Sequence, residues 1–263
     1  MNKNTIVYDL ETQKSFAEVG GFGHNEKLGI SYLGLYSYSQ GEYFGFFEKD
    51  LPKLETIIER EKPTIVGFNS INFDNQVLQP YFTKVQMADL PQVDILADIF
   101  NTLGFRMKLE SVAQATLGEG KSGSGLDALR YYREGNFDAL AKYCMDDVRI
   151  TRDIYEYGMA HGFILYTSGG DLQRMPVDWS NEDTVVKRIE RAYQAHQRMR
   201  ITYLQINEDN KERIDTEIDI LEMSDKSIEV YCHVRNNKHT YHIERILSAE
   251  IMDENYSYQA SLL

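Results

Sequence analysis

The chain has 263 residues and a formal net charge of −13. It carries 17 basic and 25 acidic residues through Asp178, then 11 basic and 16 acidic residues after it. The length allows one large and one small domain, each with its own core, and the charge excludes a basic module that grips a duplex by charge alone.

The first two thirds of the chain predict a sheet with several helices. Residues 39–41 predict a turn between two strands, and a helix ends before Lys62-Pro63 because proline disfavours helix in the preceding residue. The predicted strands are 5–10, 29–38, 42–47 and 64–66, and the predicted helices are 51–61, 73–81, 95–103, 109–117, 126–133 and 137–157. Residues 162–179 predict a closing hairpin.

Two carboxylates, Asp9 and Glu11, end the first predicted strand. Residues i and i+2 of a strand point the same way, so both side chains enter one space. Such a pair usually persists where cations neutralise it, and oxygen ligands without His or Cys favour Mg²⁺ or Mn²⁺. The pattern also fits a strand that enters a polar turn.

Two further acidic motifs follow. The first is Gly67-Phe68-Asn69-Ser70-Ile71-Asn72-Phe73-Asp74, after a short apolar strand. The second places Tyr143 and Asp147 inside a long helical pattern. These two residues are i and i+4, so the phenol and the carboxylate project from one face and can share one site.

In this order and spacing, the three motifs resemble the DEDD 3′→5′ exonucleases, in the branch whose third motif is Y-x-x-x-D. The second motif is most similar to that of family B DNA polymerase proofreading domains and related ribonuclease-H-like nucleases. The resemblance covers about residues 4–179. It implies an α/β fold with a ribonuclease-H-like mixed sheet and flanking helices in a domain spanning residues 1–179.

The resemblance also implies roles for the acidic residues and for Tyr143. Asp9, Glu11, Asp74 and Asp147 would hold two divalent metal ions, Mg²⁺ or Mn²⁺, with Asp9 bridging both. Tyr143 would orient the attacking water, since a pKa near 10 makes a phenol a poor base at neutral pH. The catalytic set is therefore expected to be Asp9, Glu11, Asp74, Tyr143 and Asp147.

Four neighbouring residues are candidate substrate contacts: Leu10, Thr12, Asn69 and Phe73. Leu10 and Thr12 would wedge against the terminal base, and Phe73 would offer a stacking surface. In the alternative interpretation, Phe73 packs in the core and Asn69 caps the next helix. The expected substrate is a 3′ end of single-stranded DNA or RNA.

The pattern changes after Trp179. Asn181 can cap a helix over residues 182–197, and strand-like runs at 200–206, 213–221, 228–235 and 240–246 predict a small β-barrel. The segments 200–203, 213–215, 231–235 and 241–246 resemble the WYL domain, an SH3/Sm-like module, although Lys226-Ser227-Ile228 replaces its naming triplet. The second domain is therefore expected to span residues 180–263.

Five residues of this second domain are candidates for binding a nucleotide or a single strand. In the alternative interpretation, the arginines pair with nearby carboxylates and the histidine is an ordinary strand residue. The candidates are Tyr203, Arg213, His233, Arg235 and Arg245.

Cysteine and hydropathy patterns indicate where the protein works. Cys144 and Cys232 lie far apart inside apolar patterns, which predicts buried thiols in a reducing compartment. No apolar stretch approaches the roughly 18 residues of a membrane span, and the N-terminus lacks a signal-peptide pattern. We expect a soluble, cytoplasmic protein without a membrane partner.

Together the motifs predict a metal-dependent 3′→5′ exonuclease with a C-terminal sensing or substrate-guiding module. Two other hypotheses remain open at this point. One is a non-catalytic nucleic-acid-binding protein that keeps the fold for recognition. The other is a ligand-sensing regulator in which the C-terminal domain dominates.

Overall fold

The computed structural model describes residues 4–119, 125–179, 184–207 and 210–256. The chain divides into two compact units, Met1–Glu156 with Ile164–Val177 and Tyr157–Phe163 with Asp178–Leu263. The domain boundary that the sequence predicts after residue 179 stays a prediction.

A five-stranded mixed sheet forms the centre of the first unit, in the order β3-β2-β1-β4-β5. Its strands are β1 (Thr5–Thr12), β2 (Ile30–Ser37), β3 (Glu42–Phe46), β4 (Thr64–Gly67) and β5 (Gln92–Asp94). β1 is antiparallel to β2 and parallel to β4, so it is the central strand. The predicted α/β class with a mixed sheet is confirmed.

In the described part of the first unit, the sheet is accompanied by six α-helices. They are α1 (Leu51–Glu61), α2 (Asp74–Leu78), α3 (Ile95–Leu103), α4 (Leu109–Leu117), α5 (Gly125–Arg133) and α6 (Phe137–His161). Short 3₁₀ helices are Phe16–Val19, Asn25–Lys27, Glu48–Asp50, Gln79–Tyr81 and Met87–Asp89. The predicted hairpin forms as β6 (Phe163–Ser168) and β7 (Asp171–Pro176).

The differences from the sequence prediction have local causes. β1 continues to Thr12 because its pairing with β2 persists through a bulge after Glu11. α2 ends at Leu78, and the rest of the predicted helix is the 3₁₀ turn that contains Pro80. β5 has three residues, too few to show a periodic pattern, and was not predicted.

A close approach at Gly34 fixes where α6 lies. A Cβ atom on Gly34 would meet Val148 Cγ2 at 3.1 Å, and both Cys144 Sγ and Met145 Sδ at 3.2 Å. These three side chains belong to α6, whereas Gly34 pairs with Asp9 across the β1–β2 ladder. A side chain at position 34 of β2 would therefore push α6 away from the central strand.

The second unit is an antiparallel sheet with one helix. Its elements are α7 (Val185–Ala195), β8 (Gln197–Asn207), β9 (Asn210–Met223), β10 (Ser227–Cys232), β11 (Asn237–His242), a 3₁₀ turn at Ile243–Arg245, and β12 (Ile246–Asn255). The strand order is β11-β10-β9-β8-β12. No ladder joins β11 to β12 among the described residues, so the predicted barrel is not confirmed.

Two details of this unit correct or complete the prediction. The strand predicted over residues 240–246 is confirmed only as far as His242, where β11 ends. A 3₁₀ turn then separates β11 from β12, and β12 was not predicted as a strand of its own. Buried Tyr241, Ile243 and Ile246 produce the misleading apolar pattern. The hydroxyl of Thr184 accepts from Lys187 N and caps α7, while the predicted cap Asn181 lies outside the described residues.

In the part of the chain that the structure describes, none of the helices combines the length and the apolar character needed to cross a membrane.

We expect Gly34→Ala to destabilise the first unit by about 1–3 kcal/mol, the usual cost of inserting a methyl group into a packed interior. Urea unfolding measures the change. Glu42→Ala, on exposed edge strand β3, is the control and should change the unfolding free energy by less than about 0.5 kcal/mol. Equal effects of the two substitutions would contradict the close packing at Gly34.

Candidate active site

Three carboxylates from two distant segments converge at the end of β1. Asp9 and Glu11 project from this strand, and Asp147 projects from α6. One oxygen from each of them lies within 4.8 Å of the others. Asp147 is only 4% exposed, so at least one of these charges is removed from water. The i, i+2 pair that the sequence indicated therefore meets a third anion.

The side chain of Asp74 is hydrogen-bonded to the backbone of β1 at Leu10, between Asp9 and Glu11. Asp74 is the first residue of α2 and is buried, and its Oδ1 accepts a hydrogen bond from Leu10 N at 3.3 Å. Burial raises the pKa of Asp74 to about 7, and the negative charges of Asp94 and Asp147 act in the same direction. A cation near this group would reverse that effect.

The donor set fits a hard divalent cation. All four acidic side chains offer carboxylate oxygens, which Mg²⁺ and Mn²⁺ prefer. The anions are crowded and partly desolvated, so a dication would relieve both their repulsion and their lost hydration. Among the described residues, three of the four that the sequence selected, Asp9, Glu11 and Asp147, form the group that could hold such an ion.

Tyr143 lies one helical turn before Asp147 on α6. Its ring is buried, in a cluster with Tyr32, Ala128, Leu140 and Cys144. This packing fixes the ring while the i, i+4 spacing keeps its hydroxyl on the Asp147 side of the helix. The position is consistent with a group that orients a reactant.

Cys144 is a neighbour that sequence analysis did not connect with this site. Its Sγ lies 3.4 Å from Asp9 O and 3.8 Å from Asp9 Oδ2. Burial raises the pKa of the thiol, as do the charges of Asp9 and Glu11. Both Cys144 and Cys232 are buried and free, as predicted.

Asp94 organises the loop of the second motif, and sequence analysis missed it. Its carboxylate accepts from Asn69 N at 2.8 Å and Ile71 N at 3.0 Å, and also from two backbone N–H groups of α3. The signal was available, because an aspartate directly before an apolar helical run is a common N-cap. The same carboxylate thus begins α3 and holds the loop that leads to Asp74.

Gly67 allows the tight turn at the start of this loop. A Cβ atom at Gly67 would lie 2.5 Å from Ser70 Cβ, closer than real side chains approach. Asn69 adopts a left-handed backbone with φ of 70°, which asparagine tolerates better than most residues. The loop geometry therefore depends on the residue types at both positions.

The predicted substrate contacts lie in different surroundings. Leu10 is 4% exposed and belongs to the core, so its role as a wedge stays a prediction that needs this side chain to move. Thr12 is half-buried and donates to Lys14 O at 3.0 Å. Phe73 is half-buried and packs against the core. The amide oxygen of Asn69 accepts from Arg106 at 2.6 Å, so the side chain does not cap α2.

The five candidates in the second unit do not form one group. Among the described residues, no hydrogen bond, ion pair or ring contact joins any two of them. Tyr203 is buried against Tyr241, with ring centroids 4.5 Å apart. Arg213 is exposed, and Arg245 is half-buried in the 3₁₀ turn before β12.

The other two candidates have polar partners within the second unit. His233 Nε2 lies 2.9 Å from Asp219 Oδ2, a carboxylate that also binds Arg198. Arg235 donates to Gln205 Oε1 at 3.0 Å. His233 therefore has a polar partner, but it lies in the turn after β10 and not in a strand as the alternative interpretation had it. Arg235 is held by an amide rather than by a carboxylate.

Three solved structures that resemble this chain do so only distantly. Proteasome accessory factor B/C of Arthrobacter aurescens is 17% identical with a TM-score of 0.26, covering 58% of this chain and 22% of that one. Product-bound exonuclease I is 11% identical with a TM-score of 0.37, covering 91% and 63%. A zinc-bound complex of E. coli exonuclease I with single-stranded DNA is 10% identical with a TM-score of 0.33, covering 86% and 54%.

The chain spans less than two thirds of each of these structures, and at such TM-scores the likenesses do not establish a common fold. A search of curated proteins found no match. A family model gives a clear result, because the RNase_H superfamily model matches residues 8–159. That segment is more than half of the chain and contains all three acidic motifs, together with most of the central strand and most of α6. The chain belongs to the RNase_H superfamily.

Proposed function

We propose that the chain is a metal-dependent 3′→5′ exonuclease that hydrolyses phosphodiester bonds at the 3′ ends of single-stranded DNA or RNA. One observation carries this proposal: Asp9, Glu11 and Asp147 meet within 4.8 Å at the end of the central strand. A folded chain collects such anions at a cost unless a cation offsets it. In a member of the RNase_H superfamily, a carboxylate cluster that needs a cation is consistent with the metal site of a nuclease.

Two divalent ions, Mg²⁺ or Mn²⁺, would supply an activated water and would stabilise charge on the attacking and leaving oxygens. Asp9, Glu11 and Asp147 would hold them together with Asp74. Because Asp74 is bonded to Leu10 N, its carboxylate is positioned by the same strand that carries Asp9 and Glu11. Because the two ions would share ligands, losing one of the four carboxylates would disturb the whole metal site.

Tyr143 would hold the attacking water by a hydrogen bond, and its buried ring would keep the hydroxyl in place. Asp94 acts at one remove, since its bonds to Asn69 N and Ile71 N hold the loop before Asp74. Asn69 and Phe73 would contact the terminal nucleotide from that loop. Each role is a positioning role, which suits a reaction whose chemistry is supplied mainly by metals.

The second unit would be a WYL-like module that senses a ligand or guides the strand. In support, the segment Arg200–Tyr203 pairs with Ile214–Glu217 in one antiparallel ladder, so two of its four matching segments are neighbours. We place its boundary after residue 179. A nucleotide or a single strand remains its proposed ligand, with Tyr203, Arg213, His233, Arg235 and Arg245 as candidates.

The first experiment is digestion of matched 5′-labelled single-stranded DNA and RNA with Mg²⁺, with Mn²⁺ or with a chelator. A ladder that shortens from the 3′ end and stops with chelator is expected. A closed circular single strand should resist, because it has no 3′ end. Nicking of the circle would contradict the direction, and binding without hydrolysis of either polymer would favour a non-catalytic binder.

Single substitutions then test the metal ligands. Asp9→Ala, Glu11→Ala, Asp74→Ala and Asp147→Ala should each lower the hydrolysis rate by at least about 10³-fold, because losing one ligand misplaces a shared site. Asp146→Ala is the matched control, since Asp146 faces Arg149 instead, and it should keep the parent rate. Full activity in two of the four variants would refute the assignment.

The pKa of Asp74 predicts how metal-free stability depends on pH. A carboxyl whose folded pKa is raised to about 7 stabilises the fold below about pH 4, and this contribution is lost as the pH rises through 7. Without metal, Asp74→Asn should therefore be more stable than the parent at about pH 8, by on the order of 1–4 kcal/mol, and the advantage should shrink toward pH 5.

Thermal unfolding with chelator and with saturating Mn²⁺ measures this dependence. The metal should stabilise the parent more than Asp74→Asn, which reverses their order. Asp89→Asn, at an exposed position, should follow the parent under every condition. An unchanged pH profile in Asp74→Asn would show that burial does not raise the pKa of this carboxyl.

The role of Tyr143 is tested separately from the ligands. Tyr143→Phe keeps the buried ring and the metal site but removes one hydrogen bond in the transition state. We expect kcat to fall by about 10- to 10³-fold, with substrate and metal affinity nearly unchanged. Single-turnover kinetics and metal calorimetry measure these quantities. An unchanged chemical rate would make the hydroxyl structural.

A further inference from the structure

A cleft of about 520 Å³ lies beside the second motif. Its volume falls within the roughly 300–1,000 Å³ range of small-ligand sites. Besides Asn69 and Phe73, it is lined by residues that the site described above does not use. The lining residues that matter here are Phe16, Phe22, Asn25, Asn69, Phe73 and Arg106.

Three phenylalanines form a row from the core to the solvent. The ring of Phe16 lies 5.9 Å from that of Phe73 and 4.5 Å from that of Phe22. Phe73 and Phe16 both pack against the core, whereas Phe22 is 84% exposed. Because ring contacts join Phe16 to both others, Phe22 lies at the outer end of the row and Phe73 at the inner end.

The loop that carries Phe22 is braced. Gly21 and Gly23, on either side of Phe22, have φ of 105° and 92°, a region that residues with a Cβ rarely adopt. Gly21 N donates to Phe16 O at 2.8 Å. Asn25 Nδ2 donates to Asn72 O at 3.1 Å and to Gln76 Oε1 at 3.0 Å. The exposed ring is therefore presented by a loop tied to the second motif.

The polar groups of the cleft suit an anion with a flat ring. Among its described lining residues there is no carboxylate, although the chain has a net charge of −13. Arg106 lines the cleft and donates to Asn69 Oδ1. A guanidinium and aromatic faces together recognise nucleotides, through the phosphate and the base respectively.

The place of the cleft determines which nucleotide it would take. Phe73 directly precedes Asp74, so the inner end adjoins the proposed metal ligands, and the outer end at Phe22 lies farther along. We propose that an unpaired base next to the terminal nucleotide stacks on Phe22, with Arg106 binding its phosphate. Bases in a duplex are paired and stacked, so this subsite selects single strands.

This inference rests on the proposed nuclease function, but binding tests it without hydrolysis. The parent for the test is Asp9→Asn with chelator, and the probes are 5′-fluorescent oligothymidylate and oligouridylate in anisotropy titrations. Phe22→Ala in that background should weaken binding about 5- to 100-fold, the range for losing one base–aromatic stack. Phe22→Trp should restore it.

Phe100→Ala is the matched control, since Phe100 is also an exposed phenylalanine, 49% exposed, on α3. It should bind as the parent does. Replacing single nucleotides by abasic ones gives a double-mutant cycle: at one position near the 3′ end, the effect of Phe22→Ala should disappear. Arg106→Gln should lower the slope of log affinity against log salt by about 0.7.

Equal affinity of Phe22→Ala and the parent, or no measurable single-strand binding by the parent, would overturn the subsite. An equal loss in Phe100→Ala would also overturn it, because the effect would not be local. These outcomes are separate from the fate of the nuclease proposal. If the wild-type chain fails to cleave while the Phe22 effect is present, hydrolysis is refuted and the subsite stands.

Discussion

The repulsion among carboxylates at the end of β1 is the constraint on which the rest of the first unit depends. Asp9 and Glu11 share one face of the central strand, and α6 brings Asp147 to within 4.8 Å of them. Nothing in the anions themselves favours this meeting. It is enforced by the burial of β1 between β2 and β4 and by the close packing of α6 over Gly34.

Local spacing was enough to select the residues of this candidate site, whereas their assembly was expected only from the resemblance to the DEDD exonucleases. Period-2 spacing at Asp9 and Glu11 and helical spacing at Tyr143 and Asp147 are local, so a single sequence reveals them. The contact between β1 and α6 joins residues far apart in the chain, so no local spacing predicts it. Asp94 was missed because its bonds to Asn69 and Ile71 depend on the pairing of β4 with β5, a three-residue strand without a pattern.

The second unit shows a different limit of local patterns. Apolar residues on both sides of the 3₁₀ turn at Ile243–Arg245 look like one strand, so β11 and β12 were merged. The candidate binding residues show the same limit. A sequence shows that His233 is present, but it does not show that the carboxylate of Asp219 is its hydrogen-bond partner. Long strands β8 and β9 were found since their alternation extends over many residues, and only their ends were misplaced.

Net charge and local charge lead to opposite expectations for nucleic-acid binding, and the structure shows how both can hold. The average field of a chain with charge −13 opposes an incoming phosphate backbone. That field is screened beyond about 8 Å at physiological salt, whereas stacking and metal coordination act at contact. No carboxylate is found among the described residues that line the cleft, whereas Asp9, Glu11 and Asp147 cluster at the end of β1. Under the proposed function these two places have separate tasks: the cluster would hold the cations, and the cleft would accept the anionic strand on which they act.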